Sequence, residues 1–549
     1  MRNNIIGVVG DNVNLFVFPS VYNRGVILRN IISPNLQPLI LLNDSQPIIW
    51  GVYYFFASKT DPILFYNIFV SLTILLNIIL TYWFLRHYTN HKSIVWAVTI
   101  IFNASGYFVY RYRQHLDLAQ IWVTLFFLGL YLNKSFKYKQ LSLGVLLALI
   151  AGISNYLAYL LLIFITAHLF SKYIYGALFR DATYLSLDSL KNYFVLLVVF
   201  AFFAFFILRG YLSDNIHIDN GTISTEQSFT IRSFEDFTIF SSRPWYYVLP
   251  SVDNPFYGEI SEKFIDFLQY KWGYFLAQNY FKSEHTSTYL GITNIILGFF
   301  GVIYIKNNKK KNRGSFYILI LTSIILIILT MPPLITISGI NIYMPSYLLY
   351  TIFPMFRTLS RLGIYILLIL LIFSLYGLVD IKNRLHNMAY AHPKIYGLKH
   401  TCIPILIIFF LLAMSEFWVP MKITNVSGGT EIFKNLGADK IGIAELITYP
   451  QNKEILGYIT FPYHRQRISN PDDFCGYIKT AKNKLILVSV DESLEKESCF
   501  SEINDAQLYK EYINTVTKNN NLYNKNKVIH ISTFFNYNKV AAYTLEPHE

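Results

Sequence analysis

The sequence predicts an α-helical polytopic membrane protein with about ten transmembrane helices, followed by a small C-terminal α/β domain. Three observations predict this. Of 549 residues, 54% are hydrophobic and only 14% charged, at a mean hydropathy of +0.37, a composition that does not suit a soluble globular enzyme. Apolar segments long enough to cross or nearly cross a bilayer start near Ile63, Ile94, Leu116, Leu141, Tyr156, Tyr193, Tyr289, Phe316, Leu359 and Ile403. Beyond Pro420, charged residues and polar turns alternate with short β-like runs such as Lys484–Val490 and Val528–Phe535.

The chain divides accordingly. Residues 1–60 form a first external loop with interfacial helices, 61–209 are transmembrane, 210–287 are a large external loop, 288–419 are transmembrane again, and 420–549 form the C-terminal domain. The net charge of +13 does not point to nucleic acid, because the basic residues lie in short loops between spans, where they report orientation. Arg86, His87 and Lys92, then Lys134, Lys137 and Lys139, then Lys306 to Arg313, then Lys382, Arg384, Lys394 and Lys399 all fall on one side, the cytoplasmic one. That assignment requires the Leu141–Leu169 stretch to cross twice, and its interruption at Gly152 to Asn155 allows either one bent span or a hairpin of two helices. Residues 1–60, the Arg111–Leu116 turn, the 210–287 loop and the tail then share the opposite, extracytoplasmic face.

Residues 1–60 contain no apolar run that could act as a signal peptide or first span, so their external placement implies either a preceding helix or export by the next hydrophobic segment. Within GVVGDNVNLFVFPSVYN, Asp11 is the most freely presented carboxylate; a turn aspartate or a helix cap is the plain alternative. The span from Ile63 carries Asn77 and ends at Tyr82, Trp83 and Arg86, aromatic and basic anchors of an interface. In the next, Asn103, Ser105 and Gly106 permit close helix contact.

GYFVYRYRQHLDLAQIW then gathers Arg111, Arg113, His115 and Asp117 where a helix begins. These charges either simply meet water or hydrogen-bond a sugar, move a proton or hold a metal. In the 210–287 loop, Arg243 to Gly258 is rich in aromatics and prolines, which suits either ring stacking or an interfacial belt. FKSEHTSTYLGITN brings Glu284 and His285 to the edge of the following span. Pro332 and Pro333 end a helix and lead into FPMFRTLSRLG, where Arg357 and Arg361 share one face if the helix has begun. Two such arginines are either snorkelling anchors or the holders of a phosphate or carboxylate. Cys402 reads as a packed thiol, and Cys475 and Cys499 as one disulfide or two free thiols.

Taken in order, the GDN turn, HLDLAQIW, SEHTSTYLG and FPMFRTLSRLG, followed by a small exported domain, resemble the GT-C superfamily. These are integral-membrane glycosyltransferases that use polyprenyl-phosphate-linked donors, and the likeness is to a bacterial branch of it, over most of the chain to about Pro420. The resemblance implies a GT-C-like fold in the bacterial cytoplasmic (inner) membrane. It implies transfer of a sugar from a polyprenyl-phosphate donor to a cell-envelope glycan, lipid or protein acceptor. It makes Asp11 the catalytic or metal-binding carboxylate. Asp117 and Glu284 match acids that help build such a site, with His115 and His285 beside them, and Arg357 and Arg361 match basic residues near the donor phosphate. A divalent cation, Mg or Mn, would sit on Asp11 and Glu284. The chain departs from the pattern in lacking the first span and in having a single acid in Gly10-Asp11-Asn12, which puts the metal in doubt. No GxxxxGK[ST] loop or GxGxxG turn occurs, which argues against nucleotide-sugar or ATP-driven chemistry. The rival readings are a non-enzymatic transporter or flippase for lipid-linked glycans, and an assembly factor that binds partners through its tail.

Overall fold

A computed structural model of the chain describes residues 4–6, 46–57, 62–132, 139–181, 183–215, 218–219, 222–223, 232–268, 280–308, 313–337, 340–391, 398–421, 423–425, 444–449, 467–469, 484–489, 528–534 and 537–545. Asp11, Cys475 and Cys499 lie outside them.

The chain forms two compact units. One comprises residues 1–42, 50–71 and 421–549. With β2 (Ile218–Asp219), β3 (Thr222–Ile223), β4 (Leu334–Ile337) and β5 (Ile340–Tyr343) belonging to the other unit, β1 (Asn4–Ile6) here pairs antiparallel with β6 (Ile423–Asn425). The Ile6 amide donates to Asn67 Oδ1 at 3.0 Å, and Tyr66 Oη donates to the Ile6 carbonyl at 3.2 Å. Five strands, β7 (Ala444–Tyr449), β8 (Arg467–Ser469), β9 (Lys484–Ser489), β10 (Val528–Phe534) and β11 (Tyr537–Leu545), make a mixed sheet in the order β10-β11-β9-β7-β8. The two β-like runs of the tail are thus β9 and β10, with β7 parallel to both β8 and β9.

The other unit, residues 43–49 and 72–420, is helical. In chain order the helices of the whole chain are α1 (Pro47–Ala57), α2 (Pro62–Arg86), α3 (Lys92–Asn103), α4 (Gly106–Gln114), α5 (Ile121–Leu132), α6 (Lys139–Ile153), α7 (Asn155–Phe179) and α8 (Leu187–Asn215). They continue with α9 (Phe234–Ile239), α10 (Gly258–Asp266), α11 (Lys282–Thr288), α12 (Ile292–Asn308), α13 (Arg313–Thr330), α14 (Ser346–Ile352), α15 (Gly363–Ala391) and α16 (Leu398–Phe417).

Among the described residues, six helical segments are long and apolar enough to cross a membrane, or seven if the α3–α4 pair, bent by 47°, is one span. The expected ten are thus matched in part. Of the segments expected from Leu116, Leu141 and Ile403, the first two are shorter apolar helices, Ile121–Leu132 and Lys139–Ile153, and the third is α16, of whose 20 residues Leu406–Phe417 form the apolar stretch. At 1.5 Å per residue, 12 residues reach about 18 Å, well short of a ~30 Å hydrocarbon core.

The interruption at Gly152 to Asn155 resolves into two helices. Ser154 caps the second, in extended conformation, its hydroxyl accepting from the Leu157 amide. The stretch is therefore two helices, α6 and α7, and not one continuous helix. At the basic loops Tyr376 Oη donates to the Tyr88 carbonyl at 2.9 Å, and Lys382 Nζ lies 3.4 Å from His91 Nδ1. The structure thus ties two of the basic loops together.

The span Leu359–Leu385 is the hub of the helical unit: 94% of its most apolar window is buried, against 11% for Leu187–Leu208 on the periphery. Glycines let α12 and α15 touch backbone to backbone. A Cβ on Gly301 would overlap the Phe373 carbonyl, and one on Gly377 the Leu297 carbonyl. Ser374 Oγ adds a 2.8 Å bond to the Asn294 carbonyl.

Asn77, the polar residue in an otherwise apolar run, is fully buried. Its amide donates to Tyr112 Oη and to the Ala119 carbonyl, both at 2.8 Å, and its oxygen accepts from the Trp122 amide at 2.7 Å. It thereby fixes the turn that carries His115 and Asp117.

The described part of the large loop includes α9, α10 and the start of α11. Its aromatic stretch is mostly packing and not an open stacking surface: Tyr246, Tyr247 and Arg243 are buried, although Phe256 is exposed.

Candidate functional site

Four chain segments end at one place. The bent α3–α4 pair finishes at Gln114, α7 starts after Ser154, α11 starts at Lys282, and a 3₁₀ turn, Leu359–Leu362, leads into α15. Each contributes a polar side chain that its helix interior would not tolerate unpaired. Gly106 sets the approach of α4 to α11, because a Cβ there would overlap the Thr286 carbonyl. Gly363 does the same at the start of α15, where a Cβ would stand 3.1 Å from Thr288 Cα.

That packing brings Arg111 onto Glu284. Arg111 Nη2 lies 3.0 and 3.2 Å from the two carboxylate oxygens, and 3.2 Å from Ser287 Oγ. Both side chains are 1% exposed. Ser360 Oγ donates to Glu284 Oε2 at 2.6 Å, and Arg361 Nε stands 3.7 Å from Oε1. One carboxylate therefore faces two guanidinium groups. The Arg361 side chain is only 9% exposed, and its guanidinium lies 4.8 Å from the centre of the Tyr156 ring. Among the described residues its two Nη groups make no hydrogen bond. A buried guanidinium with vacant donors is poised for an anion.

Asp117 lies beside this pair. Ser154 Oγ donates to its Oδ2 at 3.0 Å and Gln46 Nε2 donates to the same oxygen at 3.1 Å. Burial raises its pKa, against the lowering effects of the Ser154 hydrogen bond and the Arg361 charge. His115 is pushed down to about 2, first by burial and then by the charges of Arg361, Arg111 and Arg357. It is a neutral imidazole throughout the physiological range. From sequence both are expected where a helix begins; in the structure they lie in the turn before Ile121, where α5 starts.

The structure thus brings together Asp117, Glu284 and Arg361, with His115 within their electrostatic reach. It does not bring in His285. That ring is fully buried, with Nδ1 at 2.9 Å from Tyr280 Oη, Nε2 at 2.8 Å from the Leu249 carbonyl, and its face stacked on Tyr246. Arg357 and Arg361 do not share a helix face, because the α-helix begins only at Gly363. Arg357 turns instead to Asp236, at 2.9 Å, and over the Phe240 ring.

Ser154, Ser360 and Gln46 belong to the cluster although their sequence context does not single them out as site residues. Arg111, gathered with Arg113, His115 and Asp117 in the sequence, is the group that reaches Glu284.

Among the described residues no group of three or more His, Cys, Asp or Glu could hold a metal. Glu284, paired with one guanidinium and close to a second, is a poor ligand for a divalent cation.

A comparison with curated proteins finds no match. Among solved structures, the crystal structure of ArnT from Cupriavidus metallidurans bound to undecaprenyl phosphate is similar at 10% identity, over 98% of this chain and 94% of that one, with a TM-score of 0.34. The match that covers most of the helical part is to a family model spanning residues 28–393, and the chain belongs to that family, DUF6311, described as a domain of unknown function.

Proposed function

We propose that this protein is a membrane glycosyltransferase that takes a sugar from a polyprenyl-phosphate donor and passes it to a cell-envelope glycan, lipid or protein acceptor on the extracytoplasmic face. The observation that carries the reading is Arg361: a guanidinium nine-tenths buried at the mouth of several spans, whose two Nη groups make no hydrogen bond among the described residues. The phosphate of a lipid-linked sugar, a diester in the donor and a monoester once the sugar has left, would occupy those donors, and the ordered GDN, HLDLAQIW, SEHTSTYLG and FPMFRTLSRLG motifs point the same way. The alternation of basic residues between the spans supports the orientation.

In this scheme the acceptor hydroxyl attacks the anomeric carbon of the donor sugar and gives its proton to Asp11. A new carbon–oxygen bond forms to the acceptor, the bond from the anomeric carbon to the phosphate oxygen breaks, and its electron pair leaves with the phosphate. Negative charge grows on the leaving group in the transition state, so Arg361 lowers the barrier more than it tightens the donor complex. Glu284 is a positioning residue: through Arg111 and Ser360 it fixes the wall from which Arg361 reaches out. His115, held neutral, and Asp117 offer hydrogen-bonding groups to sugar hydroxyls. The scheme routes no step through a metal, since the arginines take up the phosphate charge.

The test is transfer of label from radiolabelled polyprenyl-phosphate sugars to an extracted acceptor pool, in proteoliposomes of the intact chain and of its Asp11→Asn and Arg361→Gln variants. Transfer by the intact protein that both variants lose supports the reading. Folded protein that transfers from no donor overturns it in favour of a lipid-linked glycan transporter or an assembly factor.

A further inference from the structure

The segment between the α13 span and the Arg361 turn has properties that the proposed chemistry does not use. β4 (Leu334–Ile337) and β5 (Ile340–Tyr343) form an antiparallel hairpin, and α14 follows it. Every residue of β5 is exposed. Ile340 at 67%, Tyr343 at 64% and Leu348 at 61% are among the most exposed large hydrophobic residues of the helical unit. From Gly314 to Phe356 the sequence contains no Asp, Glu, Lys, Arg or His.

We propose that this hairpin and α14 lie in the membrane interface, their exposed apolar side chains among lipid, on the side that carries the Arg361 cluster. The occupant of this surface is the bilayer and not a protein, for three reasons. First, height: α13 has 18 residues, about 27 Å at 1.5 Å per residue, so it ends near the boundary of a ~30 Å core and delivers the hairpin there. Second, continuity: α13 exposes Ile324 and Ile328 on its way to the hairpin, so the apolar surface runs on from a lipid-facing span. Third, chemistry: a water-facing edge strand ordinarily carries charge or proline as protection, and a protein-binding patch has a polar rim. This segment has an uncharged edge and a run of tyrosines, Tyr343, Tyr347 and Tyr350, in successive ring contact. Tyrosine belts mark the headgroup level. The free edges of a two-stranded hairpin would be unsatisfied in hydrocarbon, which places it at the interface and not deeper.

The test uses the full chain in proteoliposomes of radiolabelled phospholipid, with photoreactive benzoylphenylalanine in place of Ile342 or Leu348, and in place of Phe205 on the lipid-facing α8 as reference. Lipid adducts at Ile342 and Leu348 within about threefold of the Phe205 yield are expected for an interfacial segment. Absence of lipid adducts at both positions while Phe205 labels fully, or crosslinks to a second protein chain in their place, overturns the proposal. The readout does not depend on transferase activity, so it stands or falls apart from the reading of the Arg361 cluster.

Discussion

Arg111 and Glu284, 173 positions apart, form a 3.0 Å ion pair with each side chain only 1% exposed. Two charges taken out of water at that depth are tolerable only together, and Ser287 and Ser360 satisfy what the pair leaves over.

Breaking the pair on one side should therefore be worse than removing it whole. Arg111→Met or Glu284→Leu alone is expected to destabilise the helical unit by about 3–5 kcal/mol. The double variant Arg111→Met/Glu284→Leu should recover much of that. A double-mutant cycle on unfolding in detergent measures it; additive losses would mean that the pair is not coupled.

The two arginines of the FPMFRTLSRLG mouth should behave differently. Arg361→Gln is expected to lower sugar transfer by about 10²–10³-fold with little change in fold, as for removal of a preorganised donor to a developing anion. Arg357→Gln breaks a half-exposed pair with Asp236 and should have a much smaller effect. Steady-state label transfer by the two variants, side by side, decides the assignment.

His115 and Asp117 should give stability opposite pH dependences. The folded protein holds the His115 pKa at about 2, below the ordinary 6.5. Between those values the unfolded chain binds the extra proton, so stability falls as pH drops below about 6.5. His115→Asn should flatten that acid slope. Burial raises the Asp117 pKa, so its carboxylate weakens the fold as pH rises above the ordinary carboxylate range. Asp117→Asn should raise the unfolding midpoint at neutral pH and lose that advantage in acid. Melting curves across pH 4–8 check both signs.

Gly301→Ala should disrupt the molecule far beyond the loss of one glycine. Its Cβ meets the Phe373 backbone, which cannot rotate away. α12 and α15 must separate, at about 1–3 kcal/mol or more. Because α12 follows the Glu284 helix and α15 the Arg361 turn, label transfer should fall together with the melting midpoint. An unchanged melt would show that the two helices are not in backbone contact.

The amino-acid sequence by itself determined where the apolar helices lie, which end of them is basic, and that a strand-bearing region follows Pro420. Those features are written in runs of neighbouring residues, because burial in lipid and the cost of charge in hydrocarbon act on each segment separately. The break at Gly152 to Asn155 was legible for the same reason, as was Gly106 as a place of close helix contact. Which polar groups meet was not. Glu284 and His285 are adjacent in one helical turn, yet the first enters the arginine cluster and the second is spent on Tyr280 and a backbone carbonyl. Arg357 and Arg361 are four residues apart, yet a 3₁₀ turn before Gly363 sends them to different carboxylates. Only the tertiary structure decides such pairings, since they depend on which helix ends converge and on where a helix actually starts. Both are set by long-range packing at Gly106, Gly363, Gly301 and Gly377, which no local window of the sequence contains.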